Sequence, residues 1–177
     1  NFVGERNGES QWASRSNSVW WINLIFIDAN IFLAYDNLSD ANHKKASKIW
    51  GEVESGKFGD YFISDYVFNE IVGVTFRKKG KERAILLGEQ VLKSVLIINI
   101  DDHLLKEAWK IFSATKLNLN LVDCTNLVAM KIASAEFIAT LDKEFIQVKG
   151  VEVISWDYHN HTGILGFWIV LLFFRNF

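Results

Sequence analysis

From Leu24 onward, short apolar runs alternate with longer amphipathic stretches, and few folds accommodate that rhythm. The runs are Leu24 to Ile27, Tyr61 to Ser64, Val95 to Ile98, Glu136 to Thr140 and Val151 to Ile154, and four of the five are almost unbroken in apolar residues. Strands covered by helices on both faces have this composition, because neither face meets water. Between the runs, Ala46, Ile49, Trp50 and Val53 recur at i, i+3, i+4 and i+7, as one face of a helix does. Ala84, Leu87, Gly88 and Val91 repeat the spacing, and Leu104, Ala108, Ile111 and Phe112 follow it with a small drift. Leu127, Met130 and Ala133, with Val128 and Ile132, mark another helix. The pattern predicts an α/β fold, a central parallel sheet between helical layers, and these stripes are assigned to its core.

The 177 residues fit one domain, since single cores commonly span about 100 to 200 residues. A formal net charge of −2 excludes a protein that coats nucleic acid by bulk positive charge, so any such contact is local. The single cysteine, Cys124, excludes an intramolecular disulfide framework and suits a reducing, cytoplasmic setting. It has no evident histidine partner and reads as packing. Without a His/Cys set, a tetrahedral zinc site is not expected, and His159-x-His161 reads as a surface feature.

The expected boundaries are an N-terminal arm over residues 1–23, a domain over 24–155 and an apolar C-terminal extension over 156–177. Residues 1–18 are polar and rich in Gly, Ser and Asn, without the basic-then-apolar pattern of a secretory signal. Gly163 to Phe174 is intensely apolar but roughly 12 residues long, where a spanning helix needs about 20, so no membrane span is expected. A buried element, a membrane-surface or partner contact and a non-native tail all stay open for it.

In open parallel sheets, ligands bind outside the carboxyl ends of the strands, so the polar residues just after each run come first. Asp28 follows Leu-Ile-Phe-Ile, and Asp142 follows Phe137-Ile-Ala-Thr-Leu. Asp123, in Leu121-Val-Asp-Cys-Thr-Asn-Leu, opens a helix, and Glu70 borders the apolar stripe of the helix after Tyr61-Phe-Ile-Ser. Taken singly, Asp28 and Asp142 read as helix caps, Asp123 as a helix-start acid and Glu70 as a solvated helix residue. Together they form an ordered set with no reason to arise from independent caps. Carboxylates meeting at one sheet edge repel, and a hard divalent cation with oxygen ligands relieves that repulsion.

Ile27-Asp-Ala-Asn-Ile-Phe, Ile63-Ser-Asp-Tyr-Val-Phe-Asn-Glu-Ile, Leu121-Val-Asp-Cys and Ile138-Ala-Thr-Leu-Asp-Lys-Glu-Phe, in this order, resemble the PIN-domain nuclease family, including VapC-type toxins. The resemblance covers about residues 24 to 154. It implies a three-layer α/β/α sandwich with strand order 3-2-1-4-5, and a ribonuclease dependent on Mg2+ or Mn2+ that leaves 5′-phosphate and 3′-hydroxyl ends. It carries catalytic and metal-binding roles onto Asp28, Glu70, Asp123 and Asp142, and helper roles onto Asn30 and Thr140. A toxin of this kind implies RNA as substrate, an antitoxin protein as partner and a homodimer. Cys124 stands where the family usually has a small alanine.

Arg77-Lys-Lys-Gly-Lys-Glu-Arg83 is the densest basic run, and Arg77, Lys78, Lys79 and Lys81 are candidates for phosphate contacts, with a solvated loop as the alternative. His43-Lys44-Lys45 is a weaker candidate. Two other readings compete. Asp101-Asp102 after Ile97-Ile-Asn-Ile imitates the acidic pair of a receiver-like or haloacid-dehalogenase-like phosphoryl-transfer domain, although the first motif here is Asp-x-Asn. The same fold could also serve as a non-catalytic RNA- or protein-binding module.

Overall fold

The structure is a computed structural model that describes residues 23–154, so the expectations for the arm, for Gly163 to Phe174 and for His159 and His161 lie outside the described residues. Five parallel strands, β1 (Leu24–Ile27), β2 (Asp60–Ser64), β3 (Leu96–Ile98), β4 (Phe137–Ala139) and β5 (Glu152–Ile154), form one sheet in the order 3-2-1-4-5. This is the expected order. It differs from the 2-1-3-4-5 order of flavodoxin-like receivers, which removes the receiver-like half of the phosphoryl-transfer reading.

The helices are α1 (Ala29–Tyr35), α2 (His43–Glu54), α3 (Asp65–Lys79), α4 (Lys81–Ser94), α5 (Asp102–Ala114) and α6 (Leu121–Ile132), with a 3-10 helix over Lys143–Gln147. α1 packs on α2 and α3, α3 packs on α4, and α5 packs on α6. The chain moves outward from β1 through β2 to β3, then returns across the sheet to β4, so right-handed crossovers place α5 and α6 on the face opposite α1 to α4. No helix among the described residues is long and apolar enough to cross a membrane.

The central strand β1 is why the apolar run is continuous: Ile25, Phe26 and Ile27 are all fully buried, covered from both sides. β3, at an edge, leaves Leu96 exposed. Three strands are one or two residues shorter than the apolar runs, because strand pairing stops before side-chain burial does. Thr140 lies beyond the last β1–β4 pair yet is buried. Two glycines are needed for the path. Gly59 has φ +85, and a Cβ there would strike the Asn23 backbone where the β1–β2 ladder begins. Gly80, at φ +83, ends α3 and starts α4 in one residue.

An acidic carboxyl edge and the candidate active site

Asp28 is the first residue past β1, at the carboxyl edge of the central strand, and 8% exposed. Its backbone N–H bonds the Ala139 carbonyl at 3.0 Å, which fixes it against the end of β4. Two neutral donors converge on one carboxylate oxygen: Thr140 Oγ1 donates to Oδ2 at 2.7 Å and Asn30 Nδ2 donates to it at 2.6 Å. Asn30 Nδ2 also meets Thr140 Oγ1 at 3.0 Å, and Asn30 Oδ1 accepts from the Leu141 N–H at 3.0 Å. Asn30 and Thr140, the expected helpers, therefore both act on Asp28. Burial is the main reason that the Asp28 carboxyl is pushed up from 3.8 to about 7, opposed by the Thr140 hydrogen bond and reinforced by the charges of Glu70 and Asp123.

Asp123 is also 8% exposed and sits in the first turn of α6. It forms a capping box: its Oδ2 accepts from the Asn120 N–H at 2.7 Å, and Asn120 Oδ1 accepts from the Asp123 N–H at 3.0 Å. The helix-start reading of this residue is thus correct in itself and accounts for one of its oxygens. Burial raises its carboxyl above the ordinary value, the hydrogen bond from Asn120 opposes this, and Asp142 and Glu70 raise it further.

Asp142 is half-buried and caps the 3-10 helix, its Oδ1 accepting from the Glu144 N–H at 2.9 Å, while its own N–H donates to Thr140 Oγ1 at 3.0 Å. Glu70 projects from α3, exposed at the rim, where its charge reaches both Asp28 and Asp123. The structure thus brings the four predicted acids into one electrostatic neighbourhood. Among the described residues none of them forms an ion pair. None of the described residues, however, come together in a group of three or more His, Cys, Asp or Glu side chains able to hold a metal ion.

The donor set fits a hard cation all the same. Every available ligand is a carboxylate oxygen, two of them are largely out of water, and a magnesium ion commonly keeps several waters and takes only one or two carboxylates. Such an ion would be held by Asp28 and Asp123, with Glu70 and Asp142 reaching it through water.

The basic run divides. Arg77, Lys78 and Lys81 are exposed around the Gly80 elbow. Lys79 Nζ instead pairs with Asp36 Oδ2 at 2.9 Å and bonds the Asp36 carbonyl at 2.8 Å, and Arg83 pairs with the same carboxylate. The side chain of Asp36, an acid not singled out from the sequence, is covered by these two cations. Cys124 is buried, as expected for packing, and burial pushes its thiol up rather than activating it.

Sequence reasoning also missed Ser64 and Asn126. Ser64 Oγ donates to Asn126 Oδ1 at 3.2 Å, and both residues are buried beside the acids. The available signal was a polar residue three positions after Asp123, inside an otherwise apolar helix face.

The folded chain has recognisable relatives. Its structure is similar to the VapC20 toxin of Mycobacterium tuberculosis, described as cleaving the sarcin-ricin loop, with a TM-score of 0.59, 22% identity, and coverage of 67% of this chain and 90% of that one. It is similar to VapBC-1 of nontypeable Haemophilus influenzae, with a TM-score of 0.58, 17% identity and coverage of 75% and 98%. VapBC2 of Rickettsia felis gives a TM-score of 0.58, 16% identity and coverage of 74% and 97%. No curated protein sequence matches the chain significantly. The PIN domain family model matches residues 25–151, most of the chain and every acid of the carboxyl edge, and the chain belongs to the PIN domain family.

Proposed function

We propose that this chain is a divalent-metal-dependent endoribonuclease, the toxin of a toxin–antitoxin pair. The observation that carries the reading is Asp28: a buried carboxylate at the end of the central strand, repelled by Glu70 and Asp123 and given no cation by the described residues. Family membership and the likeness to VapC20 support RNA as the substrate. The Haemophilus and Rickettsia relatives are VapBC complexes, and this supports an antitoxin partner.

A bound Mg2+ or Mn2+ ion supplies Lewis acidity toward a scissile phosphate and a more acidic water. The protein's part follows from its own groups. Asp28 is held in one orientation by Thr140 and Asn30, so one of its oxygens is committed to the scaffold. Asp123 is oriented by the cap on α6. Glu70, exposed at the rim, would accept a proton from an attacking water, and Asp142 would help to orient that water. Arg77, Lys78 and Lys81 offer charge to the RNA backbone beside the acids.

The test is cleavage of a labelled RNA pool by the purified chain with magnesium, with chelator, and as Asp123→Asn with magnesium. Cutting is expected in the first alone. Equal cutting by the variant would overturn the proposal.

A further inference from the structure

Ser64 ends β2 and caps α3, its Oγ accepting from the Val67 N–H at 3.2 Å while donating to Asn126 Oδ1 at 3.2 Å. Phe26 pairs with Phe62, so two residues further on Ser64 lies beside Asp28 at the strand ends. Asn126 lies one turn after Asp123 on α6 and is 1% exposed. The bond therefore ties the helix that carries Asp123 to the junction that launches the helix carrying Glu70. On the other flank, Asn30 and Thr140 tie Asp28 to the segment carrying Asp142.

The Asn126 amide is poorly matched to its surroundings. Its Nδ2 is buried with no hydrogen-bond partner among the described residues. A buried half-satisfied amide is more costly than hydrocarbon of the same size, so packing does not account for the residue. What the amide offers, and a leucine does not, is a hydrogen bond across the α6–β2 boundary. That boundary lies where carboxylates of α6 and α3 repel one another.

We infer that Ser64 and Asn126 are positioning residues of the acidic site, whose hydrogen bond keeps Asp123 and Glu70 within reach of one cation. This rests on the metal-dependent reading proposed above. The pair does for the Asp123–Glu70 flank what Asn30 and Thr140 do for the Asp28–Asp142 flank.

The experiment is a titration with Mn2+ alone, followed by the paramagnetic resonance of the free ion, alongside thermal unfolding in chelator and single-turnover RNA cleavage. Asn126→Leu exchanges an unmatched amide for an unmatched Ser64 hydroxyl, so its unfolding should stay close to that of wild type. It should bind Mn2+ about 10-fold more weakly, within the range found when groups that orient metal ligands are lost. Ser64→Ala should weaken Mn2+ binding similarly, Ser64→Thr should restore it, and the double variant should be no weaker than the worse single one, because the two residues act as a unit. Wild-type Mn2+ affinity in Asn126→Leu, or in Ser64→Ala should the leucine variant not fold, would overturn the inference while leaving the nuclease reading intact. A wild-type chain that neither binds Mn2+ nor cuts RNA would sink both.

Discussion

The two ends of α1 each carry a buried aspartate, and the chain treats them in opposite ways. Asp36, at the carboxyl end, has a side chain only 4% exposed and is neutralised by Lys79 and Arg83 reaching over from the α3–α4 elbow. Asp28, at the amino end, is buried just as firmly and receives only a hydroxyl, amides and two repelling carboxylates. The fold is therefore able to bring basic side chains to a buried carboxylate, and does so eight residues away. That Asp28 has none among the described residues fits the metal-dependent reading proposed above.

The largest expected effect separates the two residues by function. Asp28→Asn should lower RNA cleavage at least 100-fold, or about 2.7 kcal/mol of transition-state stabilisation, whereas Asp36→Asn should leave the rate per folded molecule nearly unchanged. Comparable losses in both would erase the distinction. Stability in chelator should move the other way: Asp36→Asn should lose about 2 kcal/mol in urea unfolding, after allowing for partly exposed cations, while Asp28→Asn should become more stable near pH 8.

The pH dependence sharpens the same contrast. The Asp28 carboxyl titrates at about 7 in the folded chain against 3.8 ordinarily, so between these values the folded state holds a proton that the unfolded state has released. Stability in chelator should accordingly fall as pH rises from about 4 to about 7. The slope should flatten in Asp28→Asn and in the presence of Mg2+. Urea midpoints across that range check it, and an unchanged slope in the variant would assign the titration elsewhere. The smallest effect concerns the elbow. Lys78→Ala and Lys81→Ala should raise KM for RNA about threefold with a shallower salt dependence, whereas Lys79→Ala should cost stability instead, because its charge is already used by Asp36.

Much of this was legible in the sequence because burial on both faces leaves a continuous apolar signature. Leu24 to Ile27 announced β1, and Asp28 was legible as the polar residue at its carboxyl end. α1 went unread: seven residues make two turns, too few for a helical period to show. The bond from Ser64 to Asn126 and the pairing of Asp36 with Lys79 and Arg83 were also unreadable, since each joins positions that only the crossover topology brings together. The basic run was visible as charge, but its division between exposed members and members paired with Asp36 depended on the bend at Gly80. The expected acids influence one another's charge, but among the described residues they do not gather into a group of three or more able to hold a metal ion.

The capping box on α6 has a further consequence for how such chains drift. Asp123 spends one oxygen on starting its helix, so a lineage that abandoned catalysis would still gain from keeping it. Asp28 makes no cap bond to α1, and the hydrogen bonds it accepts from Thr140 and Asn30 offset only part of what its burial costs the folded state. Drift after loss of activity should therefore erase Asp28 first, making that single position the better marker for sorting working descendants from silent ones.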